Sequence, residues 1–276
     1  MSTAFQEARR FRPRALRAQL SRMIVELAAA GAVATMAYGA RLLTAGGAIA
    51  ASAVGAASML GGTGWVMALL FFFVTSSALS RWRGAERERL LGSIIEKGNR
   101  RDAVQVLANG AVFAIAAAMS VNGDVATWQA VGAGAIAAAT ADTWSTEIGT
   151  VLGGAPRLIL SGRRVPPGTS GGVTIPGSMA GIVAAVLAAV VVSRMDWVVP
   201  VYAVVAGGVA GALVDSVIGA TVQERRWCPR CAVETERGAH SCGTQTTHRG
   251  GIPGCNNDIV NLMSTIAGAA VTWTLT

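Results

Sequence analysis

The stretch "ATADTWSTEIGT", residues 139–150, follows about ten residues that are almost all Gly, Ala and Val. A segment this apolar is typical of a membrane helix, yet it ends with two carboxylates, Asp142 and Glu147, among hydroxyl groups. Ionisable side chains are costly inside a bilayer and usually mark a functional site. The stretch therefore indicates a membrane helix that carries chemistry at one of its ends.

The composition of the 276-residue chain supports a membrane protein. Hydrophobic residues make up 52% and charged residues only 14%, whereas a water-soluble domain usually carries about 25% charged residues. We expect an all-α polytopic integral membrane protein with about seven transmembrane helices, within a range of six to eight. Runs long enough to approach the roughly 17 to 25 residues that cross a bilayer are 24–40, 42–60, 65–79, 103–121, 125–146, 177–193, 197–220 and 261–275.

The net charge of +8 is almost wholly arginine, since Lys97 is the only lysine. Basic residues cluster in four segments between the candidate helices, and the positive-inside rule places all four in the cytoplasm. This gives a basic cytoplasmic arm at residues 1–22 and a single catalytic domain at 23–276, with cytoplasmic loops at about 80–102, 153–176 and 221–257. Three candidate helices separate the first two basic segments, so we expect 42–60 to be re-entrant or broken.

Four aspartates lie within or at the start of candidate helices: Asp142 and Asp215 lie deepest, and Asp102 and Asp258 stand at cytoplasmic starts. Oxygen ligands of this kind suit Mg²⁺, which usually keeps several waters or phosphate oxygens. Alternatively, such groups relay protons or coordinate Na⁺ in a transporter. Helical spacing aligns further polar residues with them, namely Ser145, Thr146, Gln105, Asn109 and Asn261.

The loop "VPPGTSGGVTIPG", residues 165–177, favours a phosphate ligand. Its glycines allow close backbone approach, successive N–H groups in such turns bind phosphate oxygens, and the next helix adds its N-terminal dipole. Arg163 and Arg164 immediately precede it. A glycine-rich loop can also be a plain connection.

The sequence "CPRCAVETERGAHSC" places Cys228, Cys231, His240 and Cys242 within fifteen residues. The first pair has the spacing of a zinc knuckle, and the His-x-Cys pair is tighter than usual. A structural Zn²⁺ is one interpretation. Reduced thiols in a loop that folds over the site are the alternative.

Several segments resemble the ordered motifs of the membrane family once called domain of unknown function 92. They are "RRDAVQVLANGAV", "ATADTWSTEIGT", "RVPPGTSGGVT", "GALVDSVIGATVQ", "CPRC" with "HSCGTQT", and "NNDIVNLM". The family includes the transmembrane protein 19 group and the phytyl-phosphate kinase of vitamin E synthesis. The resemblance implies a membrane kinase that converts phytyl or geranylgeranyl monophosphate to the diphosphate, with CTP as the favoured donor. Ser170 departs from the usual pattern, where asparagine is common.

On this model we assign roles by chemistry to the matching positions. The residues assigned to catalysis are Asp142, Asp215, Asp258 and Glu147, of which the three aspartates would hold Mg²⁺. Those assigned to the donor phosphates are Arg164, Gly168, Thr169, Ser170, Gly171, Gly172, Asn257, Asn261 and Gln223. Those assigned to the acceptor phosphate are Asp102, Gln105, Asn109, Lys97 and Arg101.

Two other functions remain open from the sequence. One is a transporter of a phosphorylated lipid or small anion, and the other is a CTP-dependent nucleotidyl transferase that acts on a lipid phosphate. We expect membrane lipid and a nucleoside triphosphate as partners, no nucleic acid, and a bacterial plasma membrane location with the site facing the cytoplasm.

Overall fold

The computed structural model describes Ser21 and residues 24–25, 27–92, 94, 98 and 100–276. The helices among these residues are α1 (Leu27–Gly39), α2 (Ala45–Gly61), α3 (Thr63–Arg81), α4 (Gly84–Leu91), α5 (Ala103–Met119), α6 (Val125–Leu152), α7 (Ile175–Ser193), α8 (Val201–Thr221) and α9 (Asn257–Thr274). The protein is therefore mostly helical, as expected. The N-terminal arm at 1–22 lies almost wholly outside the described residues.

Helices α3, α7 and α8 are long and apolar enough to cross a membrane, whereas α1, α2 and α5 are apolar but shorter. The count of about seven crossings stays a prediction. The expectation that 42–60 is re-entrant or broken is not supported, because α2 is one unbroken helix of 17 residues. Thr44 caps its first turn by accepting a hydrogen bond from Gly47 N, and Gly62, at φ +98°, ends it.

The loops contain two small sheets that the all-α expectation missed. Strands β1 (Arg157–Leu158) and β2 (Gly172–Val173) pair in the second loop. In the third loop, β3 (Arg225–Cys228) pairs antiparallel with both β4 (Val233–Thr235) and β5 (Thr247–Gly250). These strands are too short to show the alternating hydrophobic pattern by which strands are recognised in a sequence.

The core is a bundle in which α6 packs against α7, α8 and α9. Its buried positions are small, including Ala133, Ala137, Ala138 and Ala189. Small residues let helix backbones approach closely where lipid offers no hydrophobic driving force for association. A helix composed of Gly and Ala, such as the first half of α6, is therefore suited to the centre of this bundle.

One close approach joins α6, α8 and α9 at Gly134, Gly207 and Gly268. A Cβ atom on Gly268 would lie 2.7 Å from the Gly134 carbonyl oxygen and 3.0 Å from that of Gly207. A Cβ atom on Gly207 would lie 2.6 Å from the Gly268 carbonyl oxygen and would overlap the Thr272 hydroxyl. The three backbones are in direct contact, so side chains at these positions would force the helices apart.

We expect Gly207→Ala to lower the thermal stability of the detergent-purified protein. Overpacking of this kind typically costs about 1–3 kcal/mol, and the atoms that a Cβ on Gly207 would meet are the Gly268 carbonyl oxygen and the buried Thr272 side chain. Gly31→Ala in α1 is the matched control, because a Cβ there meets nothing within 4 Å among the described residues. Thermal unfolding followed by size-exclusion chromatography compares the two. Equal midpoints would contradict the close crossing.

Candidate active site at one end of the bundle

A cavity of about 520 Å³ opens at the end of the bundle where all three loops gather. It is lined by residues of α4 to α9 and by the second and third loops. Helices α5, α7 and α9 begin at this end, and their N-termini are capped by Asp102, Thr174 and Asn256. Three positive helix-dipole ends therefore face the same region, which favours an anionic ligand.

Asp142 of α6 and Asp215 of α8 lie side by side on the cavity wall, within hydrogen-bonding reach of each other. Asp215 Oδ2 is buried and has no hydrogen-bond partner among the described residues. Two facing carboxylates repel each other unless a proton or a cation lies between them. The pair fits Mg²⁺, which proteins commonly bind through one or two carboxylates together with water and substrate phosphates.

Asp258 lines the same cavity and is buried, but it does not join this pair as a third direct ligand. Among the described residues, the three carboxylates do not form a group within 4.8 Å of one another. Asp142 and Asp215 each lie eight residues beyond a glycine of the three-backbone contact, whereas Asp258 lies ten residues before Gly268. At 1.5 Å per residue, Asp258 is about 3 Å nearer the loops.

The glycine-rich loop also lines the cavity, through Gly168, Thr169, Ser170, Gly171 and Gly172. Gly168 and Gly171 have φ of +83° and +75°, a region that favours glycine. The backbone N–H groups of Ser170 and Gly171 donate to no backbone carbonyl among the described residues. With no backbone acceptor, these groups can donate to a ligand, and the phosphate-binding role of the loop stays a prediction.

The third loop lines the cavity with three charged residues: Glu224 and Arg226 precede the cysteine cluster in the sequence, and Glu236 lies between its second and third members. Gln223 donates to Glu236 Oε1 at 2.8 Å, and Ser170 Oγ approaches the same oxygen at 3.4 Å. Arg226 pairs with Glu224 at 2.6 Å. The backbone N–H of Gly254, followed by Arg226, lowers the pKa of the Glu224 carboxyl below its usual range. Glu224 is therefore anionic at neutral pH.

The cavity wall is strongly acidic. Arg87 and Arg226 are the guanidinium groups among its lining residues, and each is paired with a carboxylate, Glu147 and Glu224 respectively. The lining carboxylates are Asp142, Asp215, Asp258, Glu224 and Glu236. A phosphate ligand would need bound cations to offset this charge.

A second, apolar cavity of about 130 Å³ lies between α1, α2, α3 and α5. We call it the groove. Small and aliphatic side chains such as Ala34, Ala51 and Leu69 line it, and its polar residues include Arg101, Gln105 and Asn109. Gln105 also lines the acidic cavity, so the two spaces meet at this side chain.

The predicted acceptor-phosphate residues therefore divide into two groups. Arg101, Gln105 and Asn109 line the groove, whereas Asp102 caps a helix. Gln105 Oε1 accepts from Asp102 N at 3.1 Å, and the described residues supply no partner for its Nε2 group. Burial lowers the pKa of the Arg101 guanidinium. The guanidinium lies 5.6 Å from the Phe72 ring centroid, and it makes no ion pair with any described residue. Asp102 instead caps α5 by accepting from Gln105 N at 2.9 Å. Lys97 lies outside the described residues.

Three further predicted site residues do not line either cavity. Glu147 is buried, where it accepts from Ser80 Oγ at 2.7 Å and pairs with Arg87 Nε at 3.2 Å. Arg164 is exposed on the second loop, and Asn261 is half-buried on α9. Asn257 and Gln223 do line the acidic cavity. We therefore leave Glu147, Arg164 and Asn261 out of the proposed site.

The cysteine cluster assembles as its spacing predicts. The ligand atoms of Cys228, Cys231, His240 and Cys242 all lie within 4.8 Å of one another. None of the four lines the acidic cavity.

Sequence reasoning missed Arg87, Glu236 and Asn256, which all line the cavity. Arg87 lies on the short helix α4 and Glu236 directly follows β4, and elements this short carry too few residues for a periodic pattern to mark the face that a side chain occupies. Asn256 had a detectable signal, because an asparagine directly before the start of an amphipathic helix is a preferred N-cap. It accepts from Ile259 N at 3.2 Å.

Comparison with known proteins agrees with this architecture. The family model described as integral membrane protein DUF92 matches residues 28–269. Protein PGR of Arabidopsis thaliana is 31% identical over 189 residues, which cover 58% of this chain and 65% of that protein. An uncharacterized membrane protein of Methanocaldococcus jannaschii is 31% identical over 217 residues, or 76% of this chain and 75% of the relative. No solved structure matches the chain.

We expect Glu147→Gln to destabilise the protein, because Glu147 is buried and the variant removes the carboxylate that pairs with Arg87, whose side chain is only 15% exposed. Breaking a buried pair costs about 3–5 kcal/mol, whereas an exposed pair contributes about 0–1 kcal/mol. Glu86→Gln is the matched control, since Glu86 pairs with Arg83 at an exposed site. Thermal unfolding in detergent measures both variants. An unchanged midpoint for Glu147→Gln would return Glu147 to the list of candidate catalytic residues.

Proposed function

The chain belongs to the DUF92 family of integral membrane proteins, and we propose that it is a membrane phosphotransferase. Its reaction converts an isoprenoid monophosphate, phytyl or geranylgeranyl phosphate, to the diphosphate with a nucleoside triphosphate, CTP being favoured. One observation carries this proposal. An acidic cavity with paired carboxylates and a glycine-rich loop meets an apolar groove at Gln105.

The donor triphosphate fits between the glycine-rich loop and the Asp142–Asp215 pair. The N–H groups of Ser170 and Gly171, which donate to no backbone carbonyl among the described residues, would bind its phosphate oxygens, and the N-terminus of α7 would add its dipole. Mg²⁺ held by Asp142 and Asp215 would neutralise developing charge on the transferred group. Asn257 and Gln223 lie on the same wall and would orient phosphate or water.

The acceptor fits across the junction of the two cavities. Its isoprenoid tail would lie in the groove among small and aliphatic side chains, and its phosphate would meet Gln105 and Arg101. Arg101 makes no ion pair with a described residue, although the Glu147 charge acts on it; a desolvated guanidinium of this kind favours an anion, because the pair restores the solvation that the cation has lost. On this proposal, the lipid phosphate would lie beside the donor.

The chemistry needs no strong general base. A phosphate monoester has its second pKa near 6 and is largely ionised at neutral pH. One of its oxygens attacks the terminal phosphorus of the donor, forming a new P–O–P bridge while the bond to the donor's leaving diphosphate breaks. The products are the prenyl diphosphate and the nucleoside diphosphate, and no proton is abstracted in the step.

The location that we propose follows from the loops and the donor. All three loops meet at the acidic cavity, and they carry basic clusters that favour the cytoplasmic side. Nucleoside triphosphates are cytoplasmic, so the cavity would open toward them from the bacterial plasma membrane.

Two alternatives make different predictions. A carrier for a phosphorylated lipid or small anion is disfavoured, because five carboxylates on the wall repel an anion that arrives without cations. A nucleotidyl transferase would use the same groups but release pyrophosphate and leave a CDP-lipid.

Identification of the lipid and nucleotide products by mass spectrometry, with purified protein, Mg²⁺ and CTP or ATP, separates these cases. Absence of turnover with any donor would contradict the proposal.

We expect Asp215→Asn to lower kcat by about 10²–10³-fold, as is typical when a group that stabilises transition-state charge is removed. Folding should be retained, since the substitution relieves the repulsion between two buried carboxylates. Asp196→Asn, an exposed aspartate at the opposite end of the bundle, is the control and should leave kcat unchanged. Near-normal turnover by Asp215→Asn would exclude the pair from the reaction.

We expect Ala51→Phe to obstruct the groove. The variant should raise KM for geranylgeranyl monophosphate by about tenfold, corresponding to about 1.4 kcal/mol of lost binding, with little effect on a five-carbon prenyl monophosphate. Ile49→Phe, at a 74% exposed position of the same helix, is the control. If both chain lengths respond equally to Ala51→Phe, the tail binds elsewhere.

A further inference from the structure

Two short turns of the third loop bring four metal-ligand side chains together. Cys228 and Cys231 lie on the turn between β3 and β4, which is closed by a hydrogen bond from Ala232 N to Cys228 O at 2.9 Å. His240 and Cys242 lie on a second turn, closed by Gly243 N donating to His240 O at 2.8 Å. Gly243 has φ of +81°, which allows this turn to reverse beside Cys242.

The distances within the cluster suit a tetrahedral zinc site. Cys228 Sγ lies 3.6 Å from Cys242 Sγ, close to the roughly 3.8 Å between two sulfurs bonded to one zinc at about 2.3 Å. The same separation is far from the roughly 2.05 Å of a disulfide. His240 Nδ1 lies 3.2 Å from Cys242 Sγ, and the ring is only 6% exposed. Its Nε2 has no hydrogen-bond partner among the described residues.

We propose that Cys228, Cys231, His240 and Cys242 bind one structural zinc ion that fixes the third loop over the acidic cavity. Three thiolates and one imidazole fill a tetrahedral zinc site completely, as in structural rather than catalytic centres. The ligands' absence from the cavity lining agrees with this role. The inference does not depend on the proposed phosphotransfer.

The ion would act on the cavity through the segments next to its ligands. Arg226 lies two residues before Cys228, and Gly238 lies two residues before His240. Both line the cavity, as does Glu236. Strand pairing matches Arg226 with Thr235, so the two segments run beside each other from the cluster to the cavity wall. A rigid metal cluster would therefore hold the segments that contain Arg226 and Glu236 in place at the cavity wall.

The same segment also binds the first loop. Glu236 N and Thr235 Oγ1 each donate to Ile94 O at 2.9 Å, and Arg237 Nη2 donates to Gly92 O at 2.7 Å. These bonds join loops that lie about 140 residues apart in the sequence. Loss of the ion would release this connection together with the cavity wall.

The first test is the metal content of the full-length protein, purified in detergent through a tag that binds no metal. Plasma mass spectrometry should find about one zinc per chain, as expected for a closed four-ligand site. Cys231→Ser changes the exposed ligand and should remove most of the zinc while the protein still elutes as a folded species. Less than about a fifth of an equivalent in the parent protein, or another metal in its place, would overturn the proposal.

Cys255→Ser is the matched control, because Cys255 is a buried free cysteine outside the cluster. It should retain about one zinc per chain. If Cys255→Ser loses as much zinc as Cys231→Ser, or if Cys231→Ser retains the full equivalent, the zinc is adventitious and the assignment is wrong.

Limited proteolysis tests the structural role separately. A zinc chelator should increase tryptic cleavage at Arg230, in the turn between the first two ligands, by about tenfold, because local opening exposes the loop. Cleavage at Arg194, on the opposite end of the bundle, serves as the internal control and should not change. Equal cleavage at Arg230 with and without chelator, in protein shown to have lost its zinc, would refute the fixing of the loop.

Discussion

Three helix backbones touch at Gly134, Gly207 and Gly268, and the position of the candidate site depends on that contact. Helices α6 and α8 run in the same direction from it, and each carries its aspartate eight residues further on. Equal offsets along parallel helices place the two carboxylates at one level. The close approach also brings them together laterally. Packing of the smallest residues thus determines where the most costly polar groups of the bundle meet.

The carboxylates and the helix N-termini at this end of the bundle would act on the same ligand, so their charges combine. Carboxylates outnumber guanidinium groups on the cavity wall, while the N-termini of α5, α7 and α9 contribute positive potential from behind. Such an arrangement binds neither a bare anion nor a bare cation best. It suits a ligand in which phosphate and a divalent ion arrive together. The cysteine cluster lies outside the cavity lining, and the zinc proposed for it would hold the loop that covers the cavity.

Features encoded over a few neighbouring residues were predictable from the sequence. Hydropathy located most of the long helices, and the ligand spacing of "CPRC" and "HSC" located the cysteine cluster. Features that depend on tertiary packing were not. Glu147 has the sequence context of a catalytic carboxylate, but α6 turns it toward Ser80 and Arg87. Asp258 lies ten residues from the glycine contact on its helix, whereas Asp142 and Asp215 lie eight residues from theirs. Glu236 reaches the cavity through the pairing of two short strands.

Helix α6 has 28 residues and is about 42 Å long, which exceeds the roughly 30 Å of a bilayer's hydrocarbon core. On the proposed membrane placement, Asp142 would therefore lie near the depth of lipid headgroups, and the last turns of α6 would extend beyond it. On the proposed function, the acceptor would enter and leave within the plane of the membrane. Its effective concentration would be its mole fraction in the bilayer, so added inert lipid would slow the enzyme by surface dilution even at constant bulk substrate.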